Sequence, residues 1–180
     1  MNNPGKILTT REVYRNPWFS VREHDVTRPD GKPGIYAVVD TRIATGVVAL
    51  TENNDVYLVG QYRFPVEAYS WEIIEGGSEP GEEPLAAAKR ELKEEAGITA
   101  QHWEALGHPL HLSNCISSEE SRLYLATGLT LGESSPDGTE ILKIKTLPLR
   151  ECLELVLSGE ITDAMSVIAI MLVCRKLGVQ

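Results

Sequence analysis

Gly76-Gly77-Ser78-Glu79-Pro80-Gly81-Glu82-Glu83-Pro84-Leu85-Ala86-Ala87-Ala88-Lys89-Arg90-Glu91-Leu92-Lys93-Glu94-Glu95-Ala96-Gly97-Ile98 is the stretch that decides how this chain is read. After Gly81 it reads as a helix start. Pro84 suits a first helical position, and Glu82 and Glu83 lie near the positive end of the helix dipole. Leu85 to Ala96 are almost all strong helix formers, and Gly97 supplies the stop. At about 100° per residue, Glu91, Glu94 and Glu95 fall within a sector of roughly 100°, while Leu85, Leu92 and Ala96 centre roughly 130° away. One face is set to pack and another gathers negative charge.

Carboxylates three and four apart on an exposed helix repel by a few tenths of a kcal/mol per pair. Two readings compensate that repulsion. In the first the face is simply solvated, with Lys89, Arg90 and Lys93 offsetting the acids and Arg90 meeting Glu94 at i,i+4. In the second the acids hold a hard divalent cation, which takes several oxygen ligands and keeps waters for substrate phosphates.

The complete spacing favours the second reading. Gly76, Glu82, Arg90, Glu91, Leu92, Glu94, Glu95, Gly97 and Ile98 together resemble the 23-residue box of the Nudix hydrolase family, at every defining position and without a gap. The resemblance implies a metal-dependent pyrophosphohydrolase acting on a nucleoside diphosphate linked to another group. It implies Mg2+, or Mn2+, bound by Glu91, Glu94 and Glu95 together with the carbonyl of Glu75, with Arg90 orienting the glutamates and Glu94 and Glu95 central to catalysis. The residue types suit the reaction. Cleaving a diphosphate requires neutralised phosphoryl oxygens, an activated water and a stabilised leaving group, which metal ions and a nearby carboxylate base supply.

Composition bounds the rest. A chain of 180 residues that is 42% hydrophobic can bury a full core, and one main domain with a small addition is expected. No apolar run is long enough to span a bilayer and no secretory pattern opens the sequence, so a cytoplasmic protein is the expectation. Cys115, Cys152 and Cys174 lack C-x-x-C spacing and suggest neither a disulfide framework nor a zinc site; core or surface thiols are expected. The four histidines are scattered, and none is assigned to metal. A net charge of −9 without a basic stripe disfavours nucleic acid and leaves a small anionic substrate compatible.

Residues 7–14 and 18–28 read as strands, and Pro29-Asp30-Gly31-Lys32 is a turn signal before a strand at 34–40, so 18–40 reads as a hairpin. Residues 47–51 and 56–64 read as a second pair around Glu52-Asn53-Asn54-Asp55. Residues 71–74 lead as one short strand into the box. Strands are further expected at 102–106, 122–127 and 140–146, with helices at 149–157 and 163–177. The last helix, apolar nearly all round, reads as core or subunit contact. This order suggests an α+β or mixed α/β protein. The resemblance narrows it to an α/β/α sandwich with a mixed sheet (residues 41–180), preceded by a small N-terminal antiparallel β subdomain (residues 1–40) that mediates dimerisation.

The resemblance extends to the branch containing ADP-ribose pyrophosphatases and nucleoside diphosphate sugar hydrolases, through Gln61-Tyr62-Arg63, Trp71-Glu72 and Gly159-Glu160-Ile161-Thr162-Asp163. Within that branch Arg63 is expected to grip phosphate with its rigid fork of donors, the alternative being a strand-end surface arginine. Phe19, Tyr36 and Trp71 fall where the branch places aromatics near the nucleobase, the alternative for each being core packing. Glu72 is either a hydrogen-bond acceptor for base or ribose or an exposed strand acid. The segment His111 to Glu120 resembles the loop carrying a catalytic glutamate, with Glu119 the best match and Glu120 and Glu140 as fallbacks. Ser113-Asn114-Cys115 stands where Ser-Pro-Gly is common, which favours a range of nucleoside diphosphate sugars, GDP-mannose among them, over ADP-ribose alone.

The expectation is therefore a homodimeric hydrolase releasing a nucleoside monophosphate and a sugar phosphate. An RNA 5′-pyrophosphohydrolase or nucleoside triphosphate pyrophosphatase is disfavoured by the acidic charge and the N-terminal hairpin. A non-catalytic nucleotide-sugar sensor is disfavoured by the intact box.

Overall fold

A computed structural model describes residues 4–135 and 142–180. In it the box forms as read. Helix α1 spans Pro84–Ala96, with proline at its first turn and Gly97 as a left-handed cap (φ 66°) whose amide reaches back to the carbonyls of Leu92 and Lys93. The strands are β1 (Lys6–Arg15), β2 (Phe19–Thr27), β3 (Pro33–Thr41), β4 (Ala44–Ala49), β5 (Asp55–Arg63), β6 (Ala68–Glu72), β7 (Ile74–Gly77), β8 (Ile98–Ala105), β9 (Leu110–His111), β10 (Glu120–Leu131) and β11 (Lys143–Pro148); α2 (Leu149–Ser158) and α3 (Ala164–Leu177) close the chain. The architecture is mixed α+β. Among the described residues no helix is long and apolar enough to cross a membrane.

The chain divides into two compact units. The first comprises the residues up to Arg42 with His111–Glu120. Its sheet is the antiparallel meander β1-β2-β3. The β2–β3 turn follows its sequence signal: Gly31 adopts φ 81°, and Asp30 accepts the amide of Lys32 at 3.1 Å. Asn16 turns β1 into β2 by accepting the amides of Trp18 and Phe19, each at 2.8 Å. The 111–120 segment joins this sheet through hydrogen bonds between Val39 and the backbone of Ile116 and Ser118.

The second unit, Ile43–Leu110 with Ser121–Gln180, holds the box. One sheet runs β7-β4-β10-β8, with β4 parallel to β10 and the other pairs antiparallel; a second, antiparallel, runs β11-β5-β6. The expected pair of 47–51 with 56–64 is therefore not a hairpin. β4 and β5 belong to different sheets, and an isolated bridge joins Leu50, just past β4, to Val56. The turn is real, with Asn54 at φ 63° and Thr51 Oγ1 accepting the Asp55 amide at 3.0 Å, but it redirects the chain between layers. β4 is buried along nearly its whole length, as a central strand must be, and takes its partners from β7 and β10. The expected strand 71–74 also divides. Trp71 and Glu72 end β6 and Ile74 begins β7, while the Ile73 amide between them donates to Ser166 Oγ at 3.0 Å. Glu72, Ile73 and Ile74 are buried in succession, which a strand with one wet face does not allow.

Val47, Ala49, Val59, Ile74, Ala88, Leu92, Ile98 and Ala126 form a core cluster that seats α1 on β4 and β7. α3 packs against β4 and α2. Cys152 and Cys174 are buried and Cys115 is exposed, all as free thiols. β8 begins directly after Gly97, four residues before its expected start, and β10 extends past both ends of 122–127. The expected strand at 140–146 appears as β11, two residues longer at its C-terminal end; Glu140 lies outside the described residues.

Candidate active site

The site starts from a contact between the two ends of the box. Gly76, on β7, lies directly beneath the Glu91 side chain: a Cβ built there would stand 2.0 Å from Glu91 Cδ and 2.2 Å from Oε1. Only glycine leaves room for the carboxylate, and so β7 and α1 approach closely enough for Glu91 to lie against the strand.

Arg90 answers the repulsion among the acids. Its Nη1 donates to Glu91 at 2.7 Å and to Glu94 at 3.0 Å, and its Nε and Nη2 fork onto both oxygens of Glu82 at 3.1 and 3.0 Å. Nη2 also donates to the Gly77 carbonyl at 3.0 Å. Glu82 is itself anchored by the Glu79 amide at 2.8 Å, and the Arg90 guanidinium holds its carboxyl below the usual range. One arginine thus joins the glycine turn to two of the helix acids. The simple solvated face is not what forms, because Glu95 is only 5% exposed.

Glu95 lines a cavity of about 220 Å3 with Glu75, Gly76, Gln61 and Arg63. Glu75 is tied from behind: its Oε1 accepts from Ser166 Oγ at 3.0 Å, and Asp163 lies close by. Removal from water, then the nearby Asp163 charge, pushes its carboxyl well above the ordinary value. Asp163 caps α3 by accepting the Ser166 amide at 2.8 Å. Arg63, at the end of β5, is anchored. Its Nε lies 3.0 and 3.1 Å from the two Glu72 oxygens, and Nη2 donates to Oε2 as well. Glu72 is 2% exposed, so it is not a surface strand acid but the buried partner that orients Arg63.

Among the described residues no three His, Cys, Asp or Glu side chains converge into a ready-made cage. The donors nevertheless fit a hard divalent cation. They are all oxygen, a buried carboxylate and the Glu75–Gly76 backbone border one open cavity, and Gly76 leaves space for Glu91 beside them.

Trp71 is half-buried on β6, with Lys145 Nζ 4.1 Å from its ring centroid. Phe19 and Tyr36 are exposed on the first unit's sheet, not core; Tyr36 donates its hydroxyl to the Cys115 carbonyl at 2.7 Å. Glu119 is half-buried in that unit, its amide 3.4 Å from Ser117 Oγ, and Glu120 opens β10. Sequence reasoning assigns no role to Gln61, Asp163 or Ser166. Nothing local to Asp163 tells that it lies near Glu75, 88 residues earlier.

A NUDIX domain model matches residues 40–164. The chain belongs to the NUDIX family. It is a Nudix hydrolase, from a family whose hydrolases depend on a divalent metal. Residues 6–39 of this Nudix hydrolase match a second model, the nucleoside diphosphate sugar hydrolase N-terminal domain. The chain is 32% identical to the methanol dehydrogenase activator of Bacillus methanolicus and 30% identical to the ADP-ribose pyrophosphatase of Bacillus subtilis (strain 168), in each case over 92% of this chain and 90% of the relative. Its structure resembles the crystal structure of an ADP compounds hydrolase with a TM-score of 0.85 at 26% identity, covering 98% of this chain and 97% of the other.

Proposed function

We propose that this Nudix hydrolase splits the diphosphate of nucleoside diphosphate sugars, ADP-ribose and GDP-mannose among them, into a nucleoside monophosphate and a sugar phosphate, with Mg2+ as its ion and Mn2+ as a substitute. The observation that carries this reading is the shared cavity of Glu95, Glu75, Gly76 and Arg63, which puts oxygen donors for a cation beside a guanidinium suited to phosphate. The match of residues 6–39 to the sugar-hydrolase N-terminal model supports the substrate class.

In this reading Glu91, Glu94 and Glu95 with the Glu75 carbonyl hold the metal, which supplies charge neutralisation and an acidified water. Arg90 bridges Glu91 and Glu94 and keeps them aimed. Arg63, oriented by Glu72, grips the diphosphate. Glu119 takes the proton of the attacking water, a role supported by its match to the family's loop position, with Glu120 and Glu140 as the alternatives. Phe19, Tyr36 and Trp71 offer rings to the base. The exposed apolar residues of β1 and β2, including Ile7, Val13 and Tyr14, support dimerisation through the N-terminal sheet. The three free thiols are in keeping with a cytoplasmic setting.

The test is turnover of ADP-ribose, GDP-mannose, deoxynucleoside triphosphates and 5′-triphosphate RNA with Mg2+ and with Mn2+. The sugar diphosphates are expected to lead; preference for triphosphates or RNA overturns the reading. A ligand-induced rise in melting temperature with no product over hours would show a sensor instead.

Arg63 gives a separable prediction. Arg63→Ala leaves the buried Glu72 carboxylate without its guanidinium, and should cost about 1–3 kcal/mol of stability. It should also lower kcat/KM by about 10²-fold. Adding Glu72→Gln is expected to recover the stability in chemical denaturation but not the turnover. Recovery of both would make Arg63 a structural partner only.

A further inference from the structure

Two fully buried hydroxyls that the proposed function leaves without a role meet the chain around Glu75. Thr45 lies on β4 and Ser166 in the first turn of α3, and neither is open to water. A hydroxyl in an apolar interior costs free energy unless its hydrogen bonds are made. Valine or alanine would fill much the same space without that cost.

The partners of both hydroxyls fall on one short stretch. Thr45 Oγ1 donates to the Gly76 carbonyl at 3.1 Å. Ser166 Oγ accepts the Ile73 amide at 3.0 Å and donates to Glu75 Oε1 at 3.0 Å, so its one proton and a lone pair are both in use. Ile73 falls in the break between the β5–β6 and β4–β7 ladders, and its amide takes its partner from α3 instead. A serine near a helix start often caps the helix with its own hydroxyl. Here Asp163 caps α3 by accepting the Ser166 amide at 2.8 Å, which leaves the Ser166 hydroxyl for the strand.

Residues 73–76 are thereby fixed to three elements. α3 holds Ile73 and the Glu75 side chain, β4 holds Gly76, and Gly76 lies beneath Glu91 of α1. The Glu75 carbonyl sits between these anchored points. Apolar burial could seat the strand but is non-directional, whereas hydrogen bonds fix direction as well as distance. A small divalent cation makes that difference matter, because Mg2+ demands near-ideal positions of its oxygen ligands.

We infer that Thr45 and Ser166 are positioning residues for the metal: their hydroxyls set the Glu75 carbonyl against the glutamates of α1. The inference rests on the metal reading above, in which that carbonyl is a ligand, and names the side chains that hold it in place.

The test is Mn2+ binding to the full chain without nucleotide, read from the free-ion signal in electron paramagnetic resonance well below the melting temperature. Thr45→Val and Ser166→Ala each remove one hydroxyl and nearly conserve shape, while Thr45→Ser keeps the hydroxyl. Ile170→Val, at a fully buried position on α3, lowers the melting temperature without removing any of these bonds. Thr45→Val and Ser166→Ala should each weaken Mn2+ binding by about 10-fold, and raise the Mg2+ concentration for half-maximal turnover by the same factor. Thr45→Ser and Ile170→Val should bind Mn2+ like the parent. Parent-like binding in either hydroxyl-free variant overturns the positioning role, as does equal weakening in Thr45→Ser or Ile170→Val. Glu95→Gln tells this failure from failure of the metal reading. If it binds Mn2+ like the parent, or the parent shows no saturable binding, the metal reading is overturned and the positioning role falls with it.

Discussion

Glu95→Gln is expected to lower kcat for a nucleoside diphosphate sugar by on the order of 10²- to 10⁴-fold, and to leave the melting temperature at or above that of the parent. The two outcomes have one cause. Glu95 is a carboxylate held almost wholly out of water at the wall of the cavity that also exposes Glu75 and Gly76. Holding a charge there costs stability, and the family's chemistry gives a reason to keep it. The amide has the same shape without the charge, so the cost of burying that charge is removed together with a proposed metal ligand. Near-normal turnover in Glu95→Gln, measured with Mg2+ and with Mn2+, would overturn the metal role. A large fall in melting temperature would instead make the residue structural.

Gly76→Ala is expected to lower kcat/KM by about 10²-fold with only about 1 kcal/mol lost in stability. The added methyl falls on Glu91 Cδ, Oε1 and Cγ, all of them atoms of one flexible side chain and none of them backbone. Glu91 can therefore swing aside at small cost to the fold, but in doing so it leaves the strand and its 2.7 Å contact with Arg90. The interpretation is checked by a double-mutant cycle. If the methyl acts through Glu91, then adding Gly76→Ala to Glu91→Ala lowers activity no further. Full additivity of the two losses would show that Gly76 matters for some other reason.

The box illustrates what a local pattern can carry. Pro84, the alanines, Arg90 with Glu94, and Gly97 are all within a few residues of their partners, so helix start, stop and ion pair follow from spacing alone. The same approach misreads β4 and β5. Glu52 to Asp55 is a true turn, yet a turn says only that the chain reverses, not which strands will pair afterwards. β4 pairs with β10, more than 70 residues later in sequence, and no local signal reaches that far. Trp71 to Ile74 fails for a related reason, since a crossing between layers buries consecutive residues and looks like a short central strand.

The family is legible in the box: an unbroken spacing of glycine, arginine and glutamates that gathers three carboxylates on one helix face. Tertiary structure decided how those residues are used. It brought Gly76 beneath Glu91, turned Glu72 from a strand acid into the anchor of Arg63, and set Asp163 and Ser166 against Glu75. The reason is one of range. Helix periodicity and capping act over a turn or two, whereas cavities form where strands and helices distant in sequence are packed together by the burial of their apolar faces.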